Sequence, residues 1–438
     1  MSDLLVRTAT GGVRVRDGVV VELGRALRRD GEPVLDVARA QALPGLHDHH
    51  LHLHALAAAL GSVDCGPPQT ADALAAALRS AARLGPVRGV GYHESVAGPL
   101  DRDALDALVP DVPVRVQHRS GAAWFLNSAA LAELPPTTDA AVERDDAGRP
   151  TGRLLRGDHL LRPRRVKLPD LTAVGRLLAS YGITGVTDAT PQLAAEPLAA
   201  LRAAHDGGPL PQRLLLLGAP LDDSGDDVGP WKVLLDEASG LDLAGLVDGV
   251  RACRASGRAT AFHAVTAAEA VVAAAALRDG EGLPGSRIEH GSVLPRGLDP
   301  ELRALGITVV TQPAFVADRG DDYLRDVDPV DRPDLYRCSS LLSAGIGVAL
   351  GSDAPYGDVD PWRAAEAAVE RRTRDGVVLG DEERVDAATA LSLLLGDPRE
   401  PARPREIVVG MPADLCLRDA DGVAATVIAG RVVFARGD

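Results

Sequence analysis

The chain has few aromatic residues, few cysteines and no long apolar run. Aromatics make up 3% of its 438 residues, which gives no support for an extended stacking surface. The four cysteines are far apart and form no Cys-x-x-Cys pair, so we expect free, mostly buried thiols. No apolar run reaches the roughly 18 residues of a membrane helix. The N-terminal segment also lacks the pattern of a secretion signal, so we expect a cytoplasmic protein.

Acidic residues outnumber basic ones, and the formal net charge is -15. This charge favours solubility and disfavours nucleic acid as a partner. With 46% hydrophobic residues, the chain can bury a large core, in two or three ordinary domains or in one large barrel with additions. A small-molecule substrate is the expected partner, and no membrane partner is expected. The formation of homo-oligomers is left open.

Lysine is almost absent. Only two of the 47 basic residues are lysines, Lys167 and Lys232, and the other 45 are arginines. A lysine that persists in such a chain can mark chemistry that arginine cannot perform. Lys167 stands among arginines and is interpreted as solvated charge, whereas Lys232 lies in the apolar run GPWKVLLDE.

Strand-like runs separated by turn residues occur at both ends of the chain. LLVRT, GVRVRDG and VVVELG lie near the start, and IVVG, ADLCLRDA and AATVIAGRVVF lie near the end. We expect residues 1–43 and 403–438 to pair into one small β-domain. Residues 64–165 contain a predicted helix, QTADALAAALRSAARLG, and several Pro/Gly turns, and we interpret them as an insertion after the first strand of the central domain.

Apolar runs alternate with alanine-rich amphipathic stretches over the rest of the chain. This alternation predicts parallel strands and helices, in an α/β barrel or a doubly wound sheet. The runs are GITGVTDA (182–189), RLLLLGAP (213–220), RATAFHAV (258–265), SRIEHGSVL (286–294), GITVVTQPAF (306–315) and GIGVALGSDAP (345–355).

A dense histidine cluster, PGLHDHHLHLH, occupies residues 44–54. In a strand, positions 48, 50, 52 and 54 share one face, so two imidazoles at i and i+2 can reach one divalent ion. Asp48 could accept a hydrogen bond behind them. A chance cluster or a metal-scavenging surface tract is the alternative, which the preceding Pro-Gly turn and the following apolar helix disfavour.

Here the sequence resembles the YtcJ-like members of the amidohydrolase superfamily. Their opening motif, Pro-Gly-x-x-Asp-x-His-x-His, selects Asp48, His50 and His52, and it leaves His47, His49 and His54 as extras. The resemblance covers essentially the whole chain and continues through GAAWFLNSAAL, GRPTG, YGITGVTD, RIEHGSVL, LGSDAP and GMPADL.

The resemblance implies a (β/α)8 TIM-type barrel with a small β-sandwich domain built from both chain ends. The β-domain would comprise residues 1–43 and 403–438, and the barrel residues 44–402. The insertion at 64–165 is expected to overhang the barrel mouth.

The resemblance also implies the remaining metal ligands. His263, His290 and Asp353 match the ligands after the fifth, sixth and eighth strands. Lys232 matches a lysine that is carboxylated in relatives and bridges two metals, which arginine cannot do; a lysine that snorkels from a strand end is the alternative. One or two ions, with Zn²⁺ favoured and Mn²⁺, Fe²⁺ or Co²⁺ left open, would be held by His50, His52, Lys232, His263, His290 and Asp353.

The implied activity is hydrolysis of a C–N bond in an amide, an N-acyl compound or a related small molecule by metal-activated water. Asp353 would take the water's proton and pass it to the leaving nitrogen. Related deaminases show His-x-x-Glu after the fifth strand, whereas Thr266 stands at that glutamate position here. A deaminase or C–O hydrolase is the alternative, and a non-catalytic homologue ranks lowest because every expected ligand type is present.

The substrate pocket is less defined. Many relatives carry Asp-Gly-His before the Trp of the insertion, and Ala122 replaces that histidine here. A packing or surface role is equally open for every candidate, and the sequence does not identify the substrate. The candidates are Tyr92, His93, Glu94, His118, Arg119, Trp124, Asn127 and Gln312.

Overall fold

The computed structural model describes residues 3–67, 69–161 and 168–437, so Lys167 lies outside the described residues. The chain forms two compact units. One comprises Met1–Leu53 and Asp170–Asp438, and the other comprises His54–Pro169. Within the described ranges, no helix is long and apolar enough to cross a lipid bilayer.

Six strands precede the first helix. The first four form one sheet in the order β3-β2-β1-β4, in which β1 pairs antiparallel with β2 and parallel with β4. The strands are β1 (Leu4–Thr8), β2 (Gly11–Arg16), β3 (Val19–Gly24), β4 (Val34–Val37), β5 (Gln41–Pro44) and β6 (Leu46–Leu51).

The segment from Leu53 to Leu161 holds a separate six-stranded sheet in the order β11-β12-β10-β9-β8-β7. Strands β7, β8 and β9 are parallel, and Leu74, Leu78 and Val116 belong to the hydrophobic core of this unit. The predicted helix is confirmed as α2, whose first turn is capped by the Thr70 hydroxyl. The elements are α1 (Leu53–Leu60), β7 (Val63–Asp64), α2 (Ala71–Ala82), β8 (Val87–Tyr92), α3 (Glu94–Ala97), α4 (Arg102–Leu108), β9 (Val114–His118), β10 (Ala123–Leu126), α5 (Ser128–Leu131), β11 (Val142–Arg144), β12 (Pro150–Leu155) and α6 (Asp158–Leu161).

The segment from Thr172 to Ser392 alternates helices and strands, and each apolar run predicted as a strand contains one. The α/β class is therefore confirmed. The elements are α7 (Thr172–Ser180), β13 (Ile183–Asp188), α8 (Ala195–Gly207), β14 (Arg213–Leu216), β15 (Trp231–Leu234), α9 (Leu243–Ala255), β16 (Thr260–Ala264), α10 (Ala267–Asp279), β17 (Arg287–His290), α11 (Asp299–Ala304), β18 (Thr308–Thr311), α12 (Ala314–Asp326), α13 (Ser339–Ser343), β19 (Gly347–Leu350), α14 (Pro361–Glu370) and α15 (Ala387–Ser392).

Eight parallel strands form two sheets, β14-β13-β6 and β15-β16-β17-β18-β19. Backbone hydrogen bonds also join the sheets at both edges. Lys232 N donates to Leu217 O at 3.0 Å, and Asp353 N donates to His50 O at 2.7 Å. Because the strands are parallel, their carboxyl ends meet at one edge. His50, His52, His263, His290 and Asp353 lie at or just after these ends, whereas Lys232 is the second residue of β15.

The chain ends contribute the last sheet. Strands β20 (Leu415–Asp419), β21 (Gly422–Ile428) and β22 (Arg431–Ala435) are joined by β5 in the order β22-β21-β20-β5. Val6 and Val15 of the first sheet share a hydrophobic core with Leu415 and Val427 of this one.

Two further sequence predictions can be compared with the fold. All four cysteines are buried and free, as expected. The prediction of a strand at IVVG (407–410) is wrong, because this segment is a connection. Val408 and Val409 are half-exposed or more, and in this run only Ile407 packs against the core that the terminal sheets share.

Candidate metal centre

Three donor atoms meet near the carboxyl ends of β6 and β19, which are edge strands of the two parallel sheets. His50 lies in β6, His52 directly follows β6, and Asp353 follows β19. Asp353 Oδ1 is 3.2 Å from His52 Nε2 and 3.5 Å from His50 Nε2. All three atoms lie within 4.8 Å of one another, which is a suitable arrangement for one divalent ion.

Hydrogen bonds on the Nδ1 side fix both imidazoles of this group. His50 Nδ1 contacts the Glu289 carboxylate, and His52 Nδ1 lies 3.1 Å from Thr190 Oγ1. Because a carboxylate only accepts, His50 carries its proton on Nδ1. Its Nε2 lone pair therefore faces Asp353 and is available to a cation.

His263 and His290 lie on neighbouring strands, β16 and β17, with ring centroids 4.4 Å apart. The His290 ring is also 4.6 Å from the His50 ring, so these histidines belong to one cluster. His290 has a positive φ of 71°, a strained conformation for a residue with a side chain.

Lys232 completes the cluster. Its side chain is almost fully buried, and its Nζ lies 3.5 Å from His50 Nε2. Burial lowers the pKa of Lys232 to about 8, although the carboxylates of Glu289 and Asp353 act in the opposite direction. A fraction of this amine is therefore neutral near pH 7 to 8, unlike that of an exposed lysine.

Burial also keeps the clustered histidines neutral. It lowers the pKa of His50 and His290 well below the usual value, and that of His263 to about 3. The next cause is the Lys232 charge for His50 and His263, and the neighbouring His263 for His290. Neutral imidazole is the form that binds metals. The donor set, neutral nitrogens beside carboxylates in a buried site, fits a divalent metal such as Zn²⁺.

Asp48 lies behind the cluster rather than in it. Its Oδ1 accepts hydrogen bonds from His50 N at 3.1 Å and from Ser352 N at 3.0 Å, and its Oδ2 accepts from Ser352 Oγ at 2.5 Å. Burial raises the pKa of Asp48 to about 6. Asp48 thus links β6 to the segment that carries Asp353. Its hydrogen bond with His50 is to the backbone N–H of that residue and not to its imidazole.

A model of the amidohydrolase family matches residues 36–434. The chain belongs to this family. It is an enzyme of the hydrolase class that acts on carbon–nitrogen bonds, and a divalent metal is its expected cofactor.

Two curated relatives cover most of the amidohydrolase chain. N-substituted formamide deformylase of Arthrobacter pascens is 28% identical, over 94% of this chain and 90% of its own. Putative amidohydrolase YtcJ of Bacillus subtilis (strain 168) is 26% identical, over 83% of this chain and 81% of its own.

Solved structures share the fold of this amidohydrolase. An uncharacterized metal-dependent hydrolase from Pyrococcus horikoshii matches with a TM-score of 0.77 at 18% identity, covering 99% of this chain and all of the other. N-isopropylammelide isopropylaminohydrolase from Burkholderia multivorans matches with a TM-score of 0.57 at 17% identity, covering 100% of this chain and 99% of the other.

Sequence reasoning did not single out Glu289, Arg287 and Thr190. Glu289 contacts both His50 and the Arg287 guanidinium, and Arg287 Nη2 donates to His49 O at 3.2 Å. A signal existed in the sequence. Arg287 and Glu289 are charged residues inside a run that is otherwise typical of a buried strand, and both are fully buried.

Gln312 is a positioning residue in this structure. Its Oε1 lies 3.0 Å from His290 Nδ1, and its Nε2 donates to Val310 O at 3.4 Å. The second bond directs the amide oxygen toward His290, which leaves the Nε2 of that histidine available. These contacts orient His290, and a contact of Gln312 with substrate stays a prediction.

The extra histidines of the 44–54 cluster do not join the metal group. His47 Nε2 lies 2.9 Å from Thr187 Oγ1, and the His47 and His49 rings are 4.5 Å apart. Strand alternation directs their side chains away from the face of β6 that carries His50. His54 lies in α1.

Three insertion residues that were candidate substrate contacts make hydrogen bonds inside the 54–169 unit, and their contact with substrate stays a prediction. The Tyr92 hydroxyl donates to Gly98 O inside the core, and Trp124 Nε1 donates to Asp158 Oδ1 at 3.0 Å. The buried Asn127 amide donates to two backbone carbonyls and accepts from two backbone N–H groups. No Asn127 donor remains for a substrate, because its amide has only two.

The other insertion candidates lie at the ends of β8 and β9. The backbone N–H of Arg119 donates to Tyr92 O at 2.8 Å, which continues the pairing of these strands. His93, Glu94 and His118 form a second group of possible metal donors. This group lies entirely within the 54–169 unit.

Proposed function

We propose that this amidohydrolase binds Zn²⁺ through His50, His52 and Asp353 and hydrolyses the C–N bond of a small amide. The observation that carries the proposal is the approach of two imidazole Nε2 atoms and one carboxylate oxygen within 4.8 Å. His263, His290 and Lys232 would provide the remaining ligands of a one- or two-metal site.

A bound divalent ion would supply Lewis acidity, which lowers the pKa of a bound water and polarises a carbonyl group. Asp353 would take a proton at its carboxylate and release it to the departing nitrogen. Its carboxylate is 11% exposed, so it is reached from the open side of the cluster. Glu289, Thr190 and Gln312 would keep three imidazoles in the orientation that presents Nε2.

We also propose that Lys232 is carboxylated. The neutral amine would add to CO₂, forming an N–C bond and releasing one proton, and the resulting carbamate oxygens could bind metal. The burial that lowers its pKa to about 8 favours the neutral amine that this reaction needs. Without carboxylation, a single-metal site with the same aspartate remains.

The start of α10 favours amide hydrolysis over deamination. Thr266, at the position of the deaminase glutamate, caps this helix by accepting from Glu269 N at 3.2 Å. The Glu269 carboxylate accepts from Val265 N and Thr266 N, so it is held at the helix start.

We infer that the eight parallel strands close into a barrel, with 44–402 as the catalytic domain and 64–165 as its insertion. The edge hydrogen bonds of Lys232 and Asp353 support closure. The shared core of the two terminal sheets supports a β-sandwich built from residues 1–43 and 403–438.

The test is a hydrolysis screen with the metal supplied. N-substituted formamides come first, because a relative of 28% identity bears that activity in its name. N-acyl amino acids, cyclic amides and esters follow. We expect turnover of an amide class that Asp353→Asn abolishes and the control Asp248→Asn, on the exposed surface of α9, retains.

Two results would contradict the proposal. One is full activity of the protein after its metal has been removed and kept away by a chelator. The other is ester cleavage without any amide cleavage, which would assign the alternative C–O hydrolase function.

A further inference from the structure

Two His-x-Ser segments lie side by side in the 54–169 unit. His93 directly follows β8 and His118 ends β9, and these two strands are parallel neighbours. Tyr92 pairs with His118 across them. The sequence thus places two imidazoles at the carboxyl ends of adjacent strands, and each is followed two residues later by a serine, Ser95 or Ser120.

Each serine holds its own histidine. Ser95 Oγ lies 2.8 Å from His93 Nδ1, and Ser120 Oγ lies 2.7 Å from His118 Nδ1. With both Nδ1 atoms engaged locally, both Nε2 atoms face the Glu94 carboxylate. Glu94 Oε2 lies 3.3 Å from His118 Nε2 and 4.0 Å from His93 Nε2.

We propose that His93, Glu94 and His118 form an accessory divalent metal site, which takes Zn²⁺ and is separate from the centre at Asp353. Two imidazoles and one carboxylate are a ligand set that zinc uses when its fourth position stays open. Ligand atoms in tetrahedral zinc sites are about 3.3 Å apart, given bonds of about 2.0 Å. All three donors here lie within 4.8 Å of one another, so small side-chain movements complete the geometry.

The local hydrogen bonds accommodate both tautomers of each imidazole. In the metal-binding tautomer, each Nδ1–H would donate to its serine hydroxyl and each Nε2 would face the ion. In the other tautomer, His118 Nε2–H donates to Glu94. The backbone N–H groups of Ser95 and Ser120 donate to His93 Nδ1 at 3.3 Å and to His118 Nδ1 at 3.1 Å, so without metal each ring carries its hydrogen on Nε2. Metal binding would shift this hydrogen to Nδ1, and no proton is released because both tautomers are neutral.

The exposure of the three side chains suits an exchangeable ion. The two imidazoles are 17% and 20% exposed, and Glu94 is 46% exposed. The rings are held in place, while the carboxylate and the fourth position face solvent. A ligand such as water or a small anion can complete the coordination.

The experiment compares metal binding by four full-length proteins: the wild type, His118→Ala, Glu94→Gln and the control His159→Ala. His159 is an exposed histidine of the same unit that pairs with Asp139. Metal-free proteins receive Zn²⁺, are desalted and are analysed for zinc per chain; Co²⁺ absorption reports tetrahedral coordination. Circular dichroism verifies that each variant is folded.

We expect His118→Ala and Glu94→Gln each to hold about one ion fewer than the wild type, while His159→Ala matches the wild type. Ser120→Ala should weaken this binding about tenfold, because it removes the acceptor that orients His118. All these proteins keep the residues of the Asp353 centre. If that centre binds no zinc, the zinc content of every protein is lower by the same amount, and the difference between the wild type and the variants is unchanged. Equal zinc contents and equal Co²⁺ spectra for the wild type, His118→Ala and Glu94→Gln would overturn the proposal.

Discussion

Glu289 and Gln312 act on the metal group without being placed as ligands. Each supplies an oxygen to the Nδ1 of a histidine, Glu289 to His50 and Gln312 to His290. An imidazole that is free to rotate or to change tautomer presents Nε2 only part of the time. These two acceptors therefore hold the imidazoles of His50 and His290 in the orientation and tautomer that present Nε2 to a metal.

Glu289→Gln should weaken metal binding by about 10- to 100-fold, because the charged partner of His50 is replaced by a neutral amide. The buried Arg287 also loses its ion pair. A chelator competition titration measures the affinity. Glu366→Gln, an exposed glutamate of α14, is the matched control and should bind metal like the wild type. Equal affinities of the two variants would assign Glu289 a purely structural role.

Lys232→Arg tests the lysine directly. Arginine stays protonated and cannot form a carbamate, so we expect the variant to lose metal and most of its turnover. Metal analysis measures the loss, and mass spectrometry of the native protein detects the added CO₂. If metal content and activity are unchanged, the lysine is an ordinary buried cation.

At the scale of elements, Glu269 links two loops that follow ligand-bearing strands. It accepts hydrogen bonds from Val265 N and Thr266 N after β16, and from Glu237 N after β15. The side chain is buried, so water cannot replace these bonds easily.

Glu269→Ala should lower the free energy of unfolding by about 2–3 kcal/mol, because three backbone donors lose a charged acceptor. Thr266→Ala, which removes only the helix cap, should cost about 1 kcal/mol. Urea unfolding measures both. Glu366→Ala on the surface of α14 should stay within about 0.5 kcal/mol of the wild type. A loss that small for Glu269→Ala would show that the loops do not depend on it.

Elements were easier to predict than the contacts between them. Runs such as GITGVTDA become strands because buried parallel strands need continuous apolar sequence. Spacing left several histidines of the 44–54 cluster open, and the resemblance to the family motif selected His50 and His52. The strand predicted at IVVG was wrong because an apolar run does not reveal whether another element packs against it. Glu289 was missed because it lies in β17 and contacts His50 in β6, and these two strands are not neighbours in a sheet. The sequence motifs around His50 and Glu289 do not predict that the two side chains touch.

For the whole molecule, buried histidines set the response to acid. Burial lowers the pKa of His118, and it strongly lowers the pKa of five further histidines: His47, His49, His50, His263 and His290. Once unfolded, each binds a proton near its ordinary pKa of about 6.5. The unfolded state therefore binds more protons below that pH, and the folded state loses stability.

Between about pH 7.5 and about pH 5.5, the free energy of unfolding of the metal-free protein should fall steeply. Each buried histidine contributes about 1.4 kcal/mol per pH unit below about 6.5. Asp48 has the opposite effect on the free energy of unfolding. Its pKa is about 6 in the fold and 3.8 ordinarily, so between these pH values the folded state binds up to one proton more than the unfolded state. Urea midpoints across this range measure the net effect.

The exposed His159 provides the control for this response. His159→Gln should show the same pH dependence as the wild type, since this side chain is 55% exposed and lies outside the buried histidine cluster. A midpoint that stays level or rises on acidification would contradict the assignment of the five histidines as neutral.

The donors at His50 and Asp353 come from the first and last strands of the eight-stranded arrangement. A ribosome that has made the histidine-rich segment still has most of the chain to translate before Asp353 emerges. Until then, that segment is a short chelating peptide from which a captured ion exchanges readily. The complete proposed site can form only when β19 joins β6, so metal loading belongs to the last stage of folding. Cells that starve for metal during synthesis would thus accumulate full-length protein that can still be loaded afterwards.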